Sequence, residues 1–275
     1  MHKNTNMTAL ILGFSPCPND TFIFDALVHA KINTDHYSFD VHLADVEELN
    51  HMARRGILDV TKMSYRTFLE VQSTYQLLTS GGALGVGCGP LLISKVPYNL
   101  HDVPKLHIAI PGLGTTAHFL LDYVFPEVTQ KTEMLFSDIE AAVLDGTVDA
   151  GVIIHENRFT YQQKGLLKIA DLGAIWEKNT GAPIPLGCIA VHKRIPLPIQ
   201  QEIQSLIRES LEYAFQNPES SQSYVQCHAQ EMDKNVMQAH IDLYVNEFSL
   251  DIGDKGMSAL KVMAEKLKTP IPTLI

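Results

Sequence analysis

The strongest constraint on this chain is that part of it occurs twice. Gly56-Ile57-Leu58-Asp59-Val60 matches Gly146-Thr147-Val148-Asp149-Ala150, Asp45-Val46-Glu47 matches Asp138-Ile139-Glu140, and Phe22-Ile23-Phe24-Asp25 matches Phe119-Leu120-Leu121-Asp122. Each copy runs strand, loop, helix, strand, capped helix, Gly-x-x-Asp, strand. Such a repeat is one supersecondary unit used twice, and short apolar runs alternating with helical patterns predict a parallel sheet with helical crossovers. The expected architecture is therefore α/β with two similar lobes and a ligand cleft between them, where pockets preferentially form.

The first copy predicts strands over 9–14, 39–43 and 57–64, and the second over 106–110 and 148–154. Asn19, Asp20 and Thr21 read as the cap of one helix and Thr115-Thr116 as the opening of its counterpart. Leu186-Gly187-Cys188-Ile189-Ala190-Val191-His192-Lys193 echoes Gly89-Pro90-Leu91-Leu92-Ile93-Ser94-Lys95, as a pair of strands crossing between the lobes would. That places lobe 1 over residues 1–97 plus 191–275 and lobe 2 over 98–190, with the hinge at those strands. Beyond it Ile199, Ile203, Leu206, Ile207, Leu211 and Ala214 recur at helical spacing, and Pro218 and Asp233 restart further helices. This helical C-terminal segment is expected to pack on lobe 1, with Met237, Tyr244 and Met257 as core.

Registering the copies brings four stretches to one cleft: the loop from Ser15 to Asp20, Lys62-Met63-Ser64, the loop from Gly112 to Thr116, and Ile154-His155-Glu156. His155 ends an apolar strand, the edge at which open α/β sheets hold ligands, although a histidine there also serves as a plain loop cap. The Ser15–Asp20 loop reads equally as an anion site at a helix start or as a tight turn forced by two prolines. Ser64 and Asn19 are candidates for hydrogen bonds to a ligand. Lys62 is a charge partner or, more simply, a structural lysine. Glu156 and Arg158 either orient His155 or pair with each other on the surface. Cys17 reads as a small buried residue rather than a nucleophile.

The composition narrows the function classes. Of the 275 residues 45% are hydrophobic and 19% charged, enough for a sizeable core. The net charge of −10 argues against a nucleic-acid surface, which needs clustered Lys and Arg, but leaves room for a small anionic ligand bound by a few local donors. Cys17, Cys88, Cys188 and Cys227 form no C-x-x-C pair, so no zinc site or disulfide framework is expected, and Cys227-His228 reads as structural. Gly81 to Pro90 fits no phosphate-loop pattern. No apolar stretch approaches the roughly 20 residues of a membrane span, and the first apolar run is short for a secretory signal. A cytoplasmic protein with no membrane insertion is expected; whether it pairs into a homodimer is left open.

Ser15-Pro16-Cys17-Pro18-Asn19-Asp20-Thr21-Phe22, Lys62-Met63-Ser64, Gly112-Leu113-Gly114-Thr115-Thr116-Ala117, Ile154-His155-Glu156 and His240-Ile241-Asp242-Leu243-Tyr244-Val245-Asn246 together resemble the 1,4-dihydroxy-6-naphthoate synthase family of menaquinone biosynthesis. The likeness spans nearly the whole chain, and the Ser-Pro-Cys-Pro-Asn-Asp-Thr run is its most specific piece. The resemblance implies a two-lobed, periplasmic-binding-protein-like (type II) fold. It further implies a lyase of the futalosine route, acting on cyclic dehypoxanthine futalosine without metal or organic cofactor. The family's catalytic base falls on His155 and its substrate-binding positions on Lys62, Met63, Ser64, Thr115 and Thr116. On this reading the substrate carboxylate sits against the hydroxyls and N–H groups of Thr115 and Thr116, which also cap their helix, and His155 accepts a proton in a retro-aldol-like C–C cleavage. The alternatives are the sister chorismate dehydratase and a non-catalytic solute-binding protein.

Overall fold

The computed structural model describes residues 8–34, 36–229 and 233–275. In chain order the first half of the fold is β1 (Thr8–Phe14), α1 (Pro18–Val28), β2 (Tyr37–Leu43), α2 (Val46–Arg54), β3 (Val60–Ser64), α3 (Tyr65–Val71), β4 (Tyr75–Leu77) and β5 (Ala83–Gly85). Then come β6 (Leu91–Ser94), β7 (Ile108–Ile110), α4 (Thr116–Val124), β8 (Lys131–Glu133), α5 (Ile139–Asp145), β9 (Ala150–Ile153), α6 (Asn157–Thr160), β10 (Leu167–Asp171) and α7 (Leu172–Thr180). Strand β11 (Ile184–His192) leads into α8 (Leu197–Gln216), α9 (Gln222–His228), α10 (Lys234–Tyr244), α11 (Glu247–Leu250) and α12 (Gly253–Leu267).

The strands form two sheets. One has the order β2-β1-β3-β11-β4, with β5 also on β11, and the other the order β8-β7-β9-β6-β10. The two orders correspond strand for strand. Within each, the first three strands are parallel, and β11 and β6 occupy the same place, antiparallel to β3 and β9 respectively. The repeated Gly-x-x-Asp has the same job in both copies. Asp59 accepts the N–H of Ile11 at 2.9 Å and Asp149 that of His107 at 2.8 Å, so each aspartate satisfies a donor on the neighbouring segment just before its own strand begins.

The echo between 186–193 and 89–95 thus marks equivalent strands, and it is not a pair of strands at a hinge. Leu91–Ser94 pairs with β9 and β10 in the second sheet, and Ile184–His192 pairs with β3, β4 and β5 in the first. The division at 97/98 and 190/191 puts each of them on the wrong side. The crossings between sheets fall earlier, at 86–90 and 181–183. An apolar strand carries no mark of which sheet it joins, and that is the physical reason for the misplacement.

Helix α1 is buried from Pro18 to Leu27, all the way round, because α8, α9 and α10 cover the side turned away from the first sheet. Ser210 of α8 donates its hydroxyl to the Ile23 carbonyl at 2.6 Å and accepts the Leu27 N–H at 3.1 Å, locking the helices in register. Phe14 and Phe24 stack at 4.4 Å in the same layer. On the second lobe Trp176 is fully buried against Phe119 and Tyr123, its indole N–H donated to the Pro183 carbonyl. No helix among the described residues is long and apolar enough to cross a membrane.

Candidate active site

The ends of β1, β3 and β9 and the start of α4 converge on one cavity between the lobes. Ser15, Asn19, Lys62, Met63, Ser64, Thr115, Thr116 and His155 all line it. The remaining wall is mostly apolar and includes Val46, Leu49, Ile154, Leu186 and Tyr244. Tyr244 is core and wall at once.

Pro16 and Pro18 turn the chain sharply after β1, and α1 starts at Pro18, where a missing N–H costs nothing. One turn in, Asp20 folds back and becomes the hub of this corner. Its carboxylate accepts the Ser15 N–H at 3.2 Å, the Ser15 hydroxyl at 2.7 Å and the Asn19 amide at 2.8 Å, and pairs with Lys62 Nζ at 2.7 Å. Lys62 also donates to the Gly81 carbonyl at 3.0 Å. Both members of the pair are buried. Lys62 is therefore a charge partner on the cavity wall.

Ser64 ends β3. Asn50 of α2 accepts the Ser64 N–H at 2.9 Å and donates to its Oγ at 3.2 Å, leaving the hydroxyl proton free to point into the cavity. On the opposite lobe Thr115 is the N-cap of α4, its Oγ accepting the His118 N–H and donating to the Gly112 carbonyl. Thr116 donates its hydroxyl to the Leu186 carbonyl at 2.9 Å. Both threonine hydroxyls thus have protein partners. The donors this helix start offers a ligand are the N–H groups of its first residues, Thr116 and Ala117, which no helical carbonyl reaches.

His155 follows β9 with φ +55°, a left-handed conformation that a side chain with a Cβ adopts only where the surroundings impose it. Its ring is 4.9 Å from that of Phe136, tilted to it, and 5.8 Å from that of His240, parallel to it. Burial pulls its pKa down to about 4, with His240 and Lys62 acting in the same direction and Glu156 and Asp20 against it. The imidazole is a neutral base at pH 7. Its depressed affinity has a stability consequence. The unfolded chain, with an ordinary value of about 6.5, binds more protons between that pH and 4. The stability contributed by the neutral ring is full above about pH 6.5 and is lost as pH falls toward 4. The urea midpoint is expected to drop through that window, and a replacement of His155 by Gln should flatten the drop.

Glu156 is buried and does not pair with Arg158; the arginine binds the Gly89 carbonyl and Asp171 instead. Cys17 is also buried, and desolvation, with the Glu156 charge next, pushes its thiol well above the ordinary range, so it is no thiolate nucleophile. Among the described residues the group that converges enough to hold a metal is Cys17, His155 and Glu156, donor atoms within 4.8 Å of one another. A protonated, buried thiol makes a poor ligand.

The cleft is bridged from lobe to lobe. Glu47 of α2 accepts the Gly114 N–H with both carboxylate oxygens, at 2.9 and 3.1 Å, and Thr67 of α3 donates to the Gly114 carbonyl at 2.9 Å. Glu47 is held in turn by Asn50 at 2.9 Å, which also binds Ser64. A Cβ at 114 would lie 2.4 Å from Arg54 Nη2 and 2.6 Å from Thr67 Oγ1, so the side chains that bridge the lobes would have to shift. Gly114→Ala is therefore expected to prise the lobes apart and to raise KM, the first visible as an increased radius of gyration in solution scattering.

The sequence reading did not place Glu47 and Asn50 at the site, and it gave no role of their own to Asp20 and His240, which lie in stretches it singled out. Asp20 adjoins the selected Asn19, and an acidic residue in a first helical turn was a usable signal. Nothing in the spacing ties His240 to His155.

The family model for menaquinone biosynthesis matches residues 10–269. The chain belongs to that family. Two curated relatives of this menaquinone-biosynthesis family member are named 1,4-dihydroxy-6-naphtoate synthase. The one from Thermus thermophilus is 44% identical over 254 residues, covering 92% of each chain. The one from Streptomyces coelicolor is 44% identical over 257 residues, covering 92% of this chain and 90% of the relative. A crystal structure of an Archaeoglobus fulgidus protein superimposes with a TM-score of 0.89 at 30% identity, covering 97% of this chain and 99% of that one. A Candida albicans protein, described as having the generic periplasmic-binding-protein fold, superimposes at 0.68 with 12% identity over 94% and 91% of the two chains. The family member thus has the two-lobed periplasmic-binding-protein fold that the resemblance implied.

Proposed function

We propose that this chain is a 1,4-dihydroxy-6-naphthoate synthase, a carbon–carbon lyase that converts cyclic dehypoxanthine futalosine to 1,4-dihydroxy-6-naphthoate in the cytoplasm. The observation that carries the proposal is a neutral, strained histidine on the wall of an inter-lobe cavity, in a chain whose curated relatives bear that name. The N–H groups at the start of α4 hold the substrate carboxylate, aided by the helix dipole. His155 takes the proton of a sugar-derived hydroxyl. As that oxygen becomes a carbonyl, the adjacent C–C bond breaks, its electrons pass into the ring system as an enolate, and aromatisation follows. Ser64 donates its free hydroxyl to the developing enolate oxygen. The apolar remainder of the wall keeps water from the base.

Incubating the purified protein separately with cyclic dehypoxanthine futalosine and with chorismate tests this directly. Naphthoate product from the first and no change in the second supports the proposal. Loss of water from chorismate would assign the sister dehydratase activity, and binding without turnover of either compound would leave a solute-binding protein.

A further inference from the structure

Behind His155 lies an imidazole that the reaction described above does not use. His240 of α10 is fully buried, its ring parallel to that of His155 within 7°. Its Nε2 is 2.8 Å from Asn19 Oδ1. The Asn19 amide nitrogen is committed to Asp20 Oδ1, which fixes the way the amide faces. Asn19 thus presents an oxygen to His240, and Nε2 carries a proton. At the other nitrogen, Nδ1 lies 3.4 Å from Glu156 Oε2. Both atoms are buried, and neither has a hydrogen-bond partner among the described residues. Two bare lone pairs facing each other in a dry pocket are costly. A proton between them removes the conflict.

We propose that the buried Glu156–His240 pair is a positioning device for His155, stacking a proton-bearing ring on the base so that the base stays unprotonated and turned toward the cavity. The inference rests on the reading of His155 as the base. Five groups besides the stacked ring complete the surroundings: Glu156 from the adjoining turn, Asp20 and Cys17 from the α1 start, Lys62 from β3, and Tyr244, whose ring is 4.7 Å from His240. Glu156 is consistent with this role. Burial raises its carboxyl, and the nearby rings of His240 and His155 more than offset that, holding it below the usual range. Phe136 also packs on the His155 ring, its own ring tilted at 59° to it.

The test uses His240→Phe, Glu156→Gln and the double variant of the full chain. Two readouts apply: the acid limb of kcat/KM, and the NMR titration of the His155 ring. His240→Phe keeps a ring in the stack, removes the proton and leaves the Glu156 carboxylate to attract one onto His155. Both the limb and the titration are expected to move up by about one to two pH units, with KM within about twofold. In the double variant they should return at least half-way. A merely structural histidine would lower stability and leave the titration where it was, and an unmoved titration in His240→Phe overturns the proposal. If that variant does not fold, His240→Gln, which keeps a donor to Asn19, is read by the same titration against the same outcomes. Turnover surviving in a His155→Ala chain would instead remove the base reading, while the titration still judges the pair by itself.

Discussion

Replacing His155 by Ala is expected to lower kcat by about three orders of magnitude while the substrate binds within about twofold of the wild-type affinity. A positioned general base contributes roughly 10²- to 10⁴-fold, and no other described side chain on the cavity wall offers an imidazole. Lys62 is ion-paired with Asp20, and His240 sits behind His155 with both nitrogens facing protein groups. Binding survives because the donors at the start of α4 are untouched. Single-turnover kinetics with direct binding measurements separates the two effects, and free imidazole diffusing into the vacated volume should restore part of the rate. A kcat within tenfold of wild type would remove His155 from the chemistry.

Lys62→Met should be the most destabilising single change at the site, by about 3 kcal/mol. Removing one member of a buried ion pair leaves the other charge uncompensated, at a cost of about 3–5 kcal/mol. The lower end applies because Asp20 retains three donors, from Ser15 and Asn19. Adding Asp20→Asn to Lys62→Met should recover most of the loss, since the pair then becomes neutral together. Urea unfolding of the two single variants and the double variant reads the coupling. A Lys62→Met chain as stable as wild type would show that the Asp20 charge is neutralised by another route.

The sequence predicted the lobes and the cleft because its repeat is written in residues with local jobs. Asp59 and Asp149 each satisfy a backbone donor beside their own strand. The wall of the cavity was legible for the same reason, since Lys62, Met63 and Ser64 in one copy and His155 in the other simply continue a strand to its end. What stayed hidden is what depends on distance along the chain. His240 reaches His155 only because α10 covers α1, and Glu47 reaches Gly114 only when the lobes meet. The roles of the threonines were half legible. Thr115 caps α4 as expected, but the Leu186 carbonyl that takes the Thr116 hydroxyl lies on a strand of the other sheet, invisible to local pattern.

The placement of β6 and β11 also decides which sheet can be completed from a contiguous stretch of chain. The second sheet uses strands from residues 91–171 alone, whereas the first cannot join β3 to β4 until β11, at 184–192, has been made. As the chain leaves the ribosome from its N-terminus, the lobe in the middle of the sequence can complete its sheet while β1, β2 and β3 still wait for the strand that seats β4. Completion of the outer lobe's sheet thus rests on a pairing between segments far apart in the chain, the kind of contact that slows folding.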